Sequence, residues 1–178
     1  MNRFSRELLF SCLALALVGC NTNNPDKPKP AAERADTSAQ AAIKGQPKMA
    51  RATTHLMFDG TAEEAMNFYV SLFKGSTIRR VERYGQGEQG AQGSVKRADF
   101  TLGGHDFICI DTPVKHAFTF TPSISIFVDC ADQVELEGAF KQLSGGGKVF
   151  MPLDNYGFST KFGWLQDRFG VSWQLNLP

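Results

Sequence analysis

The sequence predicts an α+β fold made of two βαβββ modules. Three observations carry that prediction. A strand–helix–three-strand plan occurs twice within residues 52–177. Matching landmarks of the two copies lie 70 residues apart: Asp59 and Asp129, Phe73 and Leu143, Gly75 and Gly145. The composition supplies both turns and a core, with 17 Gly among 178 residues favouring a strand-rich chain and 15 Phe favouring burial over disorder.

The first copy opens with residues 52–60, ATTHLMFDG, an alternating strand that puts Leu56 and Phe58 on one face and His55 and Met57 on the other. Residues 61–74 predict a helix. Thr61 and Glu64 have capping-box spacing, and Met66, Tyr69, Val70 and Phe73 form a core stripe before Gly75 stops the helix. Strands follow at 77–84, 94–102 and 105–111, with a mobile glycine-rich loop at 85–93 and a hairpin turn at Gly103-Gly104. The second copy repeats this. SISIFVD at 123–129 is a strand, and residues 132–143 are a helix with Asp132 and Glu135 at capping spacing. Leu136, Ala139, Phe140 and Leu143 make its stripe, and Gly145 its stop. KVFMPL, FSTKFGWLQD and VSWQLNL supply three more strands, with the last turn at Phe169-Gly170.

The chain before residue 51 has a different character. Arg3 and Arg6 precede an apolar run at 8–18 that is too short to span a bilayer. The run ends in Leu17-Val18-Gly19-Cys20, which resembles the bacterial lipobox. An ordinary secretory signal, or a buried apolar helix with a chance Cys, are the other readings. The lipobox reading makes 1–19 a signal peptide and Cys20 the lipidated first residue, its acyl chains (palmitate among them) holding the protein on a membrane. Asn21 after the Cys favours the outer membrane, with the protein facing the periplasm. Residues 20–50 then form a disordered tether, rich in Pro, Asn, Lys and Ala and without an aromatic. The folded domain is 51–178. An exported domain permits a disulfide between Cys109 and Cys130, but two Cys settle no geometry.

Chemical signals are sparse. A formal net charge of +1 leaves no electrostatic footprint for nucleic acid, so none is expected as a partner. GGGK at 145–148 follows a helix instead of opening one and lacks P-loop spacing. No CxxC pair and no nucleophile elbow occurs. Arg79, Arg80, Arg83, Lys96 and Arg97 predict a basic, solvated strand face. His105 sits beside a turn and His116 in a loop, so neither carries a site alone.

Four segments carry a resemblance: HLMFDGTAEEAMNFYVSLF, YGQGEQGAQGSVKRADFTLGG, FTFTPSISIFVDC and GWLQDRFGVSWQ. Together they resemble the PhnB-like group of the vicinal oxygen chelate superfamily, which includes glyoxalases, bleomycin-resistance proteins and extradiol dioxygenases. The resemblance covers residues 52–178. It implies a curved mixed sheet around a shared cleft, a small-molecule ligand and a homodimer. The group is also labelled a demethylubiquinone methyltransferase, yet no glycine-rich loop joins a strand to a helix to cradle a cofactor.

Catalytic members of the superfamily hold one divalent metal through His or Gln on the first strand of each module and Glu on the last. The resemblance places His55 at the first position and Cys109 near the second, with Phe107, Ile108 and Ile110 unable to ligate and Asp111 farther along. Ser123 and Gln174 fall at the remaining positions. A hard dication wants anionic oxygen, and neither Cys109 nor Gln174 replaces a carboxylate. The expectation is therefore a membrane-anchored domain that binds a small apolar or aromatic molecule and needs no cofactor. His55, Phe118, Phe120, Trp164, Trp173 and Gln174 are its candidate ligand-binding residues. The alternative is a metal-dependent lyase, isomerase or dioxygenase with a reduced site drawn from His55, Asp111 and Gln174.

Overall fold

The computed structural model describes residues 50–178, which form one compact unit. The expected signal peptide, the expected lipidation site Cys20 and the expected tether up to residue 49 lie outside the described residues. The elements follow the sequence order: β1 (Thr54–Phe58), α1 (Ala62–Leu72), β2 (Thr77–Arg83), β3 (Val95–Leu102), β4 (His105–Asp111), β5 (Ile126–Asp129), α2 (Gln133–Leu143), β6 (Lys148–Asp154), β7 (Lys161–Gln166) and β8 (Ser172–Leu177). They make two four-stranded sheets with identical topology, β1-β4-β3-β2 and β5-β8-β7-β6. In each sheet the strand before the helix lies parallel to the last strand, and the other pairs are antiparallel. The two βαβββ modules are thus present as the 70-residue spacing implied.

The helices cover one face of the sheets and fill a continuous core. Ala62, Ala65, Met66 and Tyr69 of α1 are buried, as are Leu136, Ala139 and Leu143 of α2. The copies meet through aromatics: Trp173 of β8 lies 4.8 Å from Tyr69 and 5.9 Å from Phe73 between ring centroids. Gly163 on β7 permits close packing of α2, since a Cβ there would come within 2.5 Å of the Phe140 ring.

Several local expectations are corrected. Thr61 makes no side-chain cap of α1. The first amide of that helix, Ala62 N–H, donates instead to Asp111 Oδ1 at 2.9 Å, and Glu64 turns to Arg168 at 3.0 Å. A long-range carboxylate has displaced the local cap. In α2 the expected device forms: Asp132 Oδ1 accepts from Glu135 N–H at 2.8 Å, and Glu135 reaches back to Ala131 N–H at 2.8 Å. The left-handed residue after α2 is Gly146, with φ +72°, one position beyond the expected stop. Strand β5 is four residues long, so Ser123 lies outside it. The glycine-rich loop closes on itself through Gly93 N–H to Tyr84 C=O and Tyr84 N–H to Ser94 C=O. The basic face of β2 and β3 is a lattice of ion pairs. Arg80 meets Glu82, Arg83 meets Glu63, Lys96 meets Glu88, Arg97 meets Asp99, and Arg79 meets Asp106.

Candidate functional site

The end of β1, the connecting segment after β4 and the turn between β7 and β8 enclose a cavity of about 440 Å3. Its walls include His55, Phe58, Asp59, His116, Phe120 and Arg168. That size lies within the range of about 300–1,000 Å3 usual for small-molecule sites. The floor is aromatic, with Phe58 5.1 Å from Phe120 and 6.4 Å from Phe169 between centroids. His116 stacks on Phe118 at 4.7 Å, and Phe118 is 67% exposed at the rim. A second cavity of about 490 Å3 shares His55 and Phe120 and extends past Ser125 to Phe127 and Ser172.

The wall that carries Arg168 and Phe169 is held from beneath by Asp167. This buried carboxylate accepts four hydrogen bonds: Tyr69 O–H at 2.7 Å and Trp173 Nε1–H at 2.8 Å on one oxygen, Phe169 N–H at 2.8 Å and Val171 N–H at 3.0 Å on the other. Burial pushes the Asp167 carboxyl above its ordinary value, and the four donors pull against that shift. Burial, followed by the neighbouring Asp167 charge, raises the Tyr69 hydroxyl in turn, so Tyr69 remains a donor. Nothing local in the sequence marks this residue, because the Asp that opens Asp167-Arg168-Phe169-Gly170 reads only as part of a turn. Its partner Tyr69 lies 98 residues away.

The expected site residues divide into groups. His55, Phe118 and Phe120 line one cavity. Trp164 and Gln174 are cross-strand partners on the face of the second sheet that turns away from α2. There Trp164 donates its indole N–H to Ser172 Oγ at 2.9 Å, and Ser172 in turn bonds Ser125 Oγ at 2.7 Å. Trp173 is corrected from cleft to core. It is fully buried, because strict alternation in β8 sends Trp173 and Leu175 toward the helices and Ser172 and Gln174 the other way.

The metal positions can be tested by the register of β1 against β4. His55 pairs with Ile108, and Cys109 pairs with Leu56 in the core. Cys109 is therefore on the opposite face from His55, and burial pushes its thiol up to about 12. Asp111 is also turned inward, its two oxygens taken by Ala62 N–H and Val95 N–H at 2.9 Å each. The β4 residues sharing the His55 face are Asp106, Ile108 and Ile110, and Asp106 is bound by Arg51 and Arg79. Among the described residues no group of three or more His, Cys, Asp or Glu converges as metal ligands would. The donor set does not fit a hard dication. Cys109 and Cys130 are both buried free thiols, so the permitted disulfide does not form.

Comparison with known proteins assigns the chain. The family model described as 3-demethylubiquinone-9 3-methyltransferase matches residues 50–176. The chain belongs to this family. The PhnB protein of Bacillus cereus, which carries the same description, is 51% identical over 72% of this chain and 100% of its own, with a TM-score of 0.70. Protein PA1353 of Pseudomonas aeruginosa is 26% identical over 72% of this chain and 98% of its own, at 0.64. Hypothetical protein SA1046 of S. aureus, 14% identical over 74% of this chain and 100% of its own, shares the fold at 0.51. No curated protein matches. The family description implies a methyl-donor cofactor, and the strand–helix junctions of the PhnB-like domain are where a nucleotide-cradling loop would sit. Those junctions are Asp59-Gly60-Thr61 and Cys130-Ala131-Asp132, with no glycine-rich loop to approach a nucleotide.

Proposed function

We propose that the PhnB-like domain binds a small apolar or aromatic molecule in the cavity beside His55, without a divalent metal, and performs no methyl transfer. The observation that carries this is the register of β1 on β4: the partner of His55 is Ile108, and the β4 carboxylates, Asp106 and Asp111, are committed to arginines or backbone amides. A histidine among Phe58, Phe120 and aliphatic neighbours suits an orienting hydrogen bond, which contributes about 0.5–1.5 kcal/mol. The aromatic area supplies about 25 cal/mol per Å2 covered. The lipobox-like run ending in Cys20 supports placing this domain on the outer membrane facing the periplasm. The homodimer is carried over from the family resemblance.

The test is metal analysis of protein purified without chelator, followed by equilibrium dialysis with naphthalene-sized probes before and after EDTA. Saturable binding that survives EDTA, with less than a tenth of a metal per chain (about that level marks adventitious ions against a site needing several anionic ligands), supports the reading. One tightly held metal per chain, lost in His55→Ala and required for turnover of a thiohemiacetal or catechol, overturns it in favour of the enzyme.

A further inference from the structure

We propose that this cavity selects a flat aromatic or conjugated molecule bearing a carboxylate, with the Arg168 guanidinium as its receptor. The inference rests on the reading of the cavity as an apolar-ligand site and adds the charge of what enters. Arg168 borders the cavity, and its guanidinium carbon lies 4.3 Å from the Phe68 ring centre and 4.4 Å from that of Phe169. Packed against two aromatic rings that are 6.1 Å apart and tilted by 57°, the planar fork is restricted before a ligand arrives. Its entropy cost on binding is correspondingly small. One amino group meets Glu64 Oε1 at 3.0 Å, but the Glu64 side chain is 63% exposed, so that pair is screened by water. A guanidinium has five donors, and this contact uses a single edge of it.

The lining holds two histidines and one opposing acid besides Arg168. His55 and His116 add no carboxylate to the lining. Thr61 at the start of α1 also lines the cavity; the first amide of that helix is taken by Asp111, and Glu63 of its first turn is paired with Arg83. Asp59 is the one lining carboxylate and opposes the preference. Phe58 and Phe120 supply the flat surface that fits a ring.

The experiment compares three probes of one ring system on the full chain by equilibrium dialysis: 2-naphthoate, 2-naphthalenemethanol and 2-naphthylmethylammonium. The carboxylate is expected to bind about tenfold tighter than the alcohol, as a charge-assisted bond implies, and the ammonium weakest. Arg168→Gln should bring the carboxylate-to-alcohol ratio to about one, whereas Glu64→Gln, which frees the guanidinium, should raise it. Equal binding of carboxylate and alcohol, or tightest binding of the ammonium, overturns the charge preference and leaves the apolar site standing. A ratio unchanged in Arg168→Gln removes Arg168 as the receptor. Saturable binding of none of the three removes the apolar site and this proposal together.

Discussion

The two modules share a backbone plan and differ in what they show on the sheet faces turned from the helices. On the first sheet that face is charged: Arg80 pairs with Glu82, Arg97 with Asp99, and Asp106 is held by arginines. On the second it is aromatic, with Phe150 4.8 Å from Trp164, Phe162 6.4 Å from Phe127, and Phe127 54% exposed. The helices differ in the same way. Helix α2 is capped by its own Asp132, and α1 by Asp111 from the far end of its module. A duplicated topology therefore constrains strand order and core positions. It leaves the open faces and the cap chemistry free to diverge.

Asp167 is where the copies depend on each other, and removing it has the largest expected effect. Asp167→Ala strands Tyr69 O–H, Trp173 Nε1–H and two amides in a buried setting, which should cost about 3–5 kcal/mol in chemical denaturation. Loss of under 1 kcal/mol (about what one exposed bond contributes) would show that the modules do not need this tie. Next come the caps. Asp111→Ala leaves two amides unpaired and should cost about 2–3 kcal/mol, against about 1 kcal/mol for Asp132→Ala. Equal losses would erase the contrast between a long-range and a local cap.

Thiol labelling sharpens the comparison at a lower level. Burial pushes Cys109 up to about 12 and Cys130 up to about 11, so neither should react with a thiol reagent at neutral pH in the native state. With rising denaturant Cys130, 5% exposed, should label before Cys109, which has no exposure. The smallest effect belongs to the charged face. Arg97 holds the Asp99 carboxyl below its usual 3.8. Its folded value being depressed, the pair contributes above pH 3.8 and its contribution fades as pH falls through the lower folded value. Arg97→Ala should leave the denaturation midpoint at pH 7 nearly unchanged, and a clear shift there would show that the lattice acts cooperatively.

Why some of this was legible in the sequence and some was not follows from the range of each interaction. The duplicated plan was readable because strand alternation and helix stripes are local. The polar and apolar sets of β8 were also local, since Ser172 and Gln174 alternate with Trp173 and Leu175. Alternation alone marks Trp173 as a core residue, against its assignment to the cleft. The face of Cys109 was not readable: a one-residue change of register would exchange it with Ile108, and register is fixed by the pairing with β1, 53 residues earlier in the chain. Asp111 at the α1 cap and Asp167 beneath the cavity wall answer to partners 49 and 98 residues away. Such carboxylates look like ordinary strand-end acids until the chain closes on them.

The contact of Tyr69 with Trp173 and Asp167 also bears on how the repeat can be handled as a piece of protein. Each copy contains a full strand–helix–sheet plan, yet the ring and hydroxyl of Tyr69 are finished only by side chains of the other copy. A half-chain ending before β5 would present that tyrosine, with Phe73, to water. The repeat is visible as two units and folds as one. Hydrogen exchange across α1 and β8 should accordingly proceed by a shared opening, with neither half able to serve as a separable part for grafting or complementation.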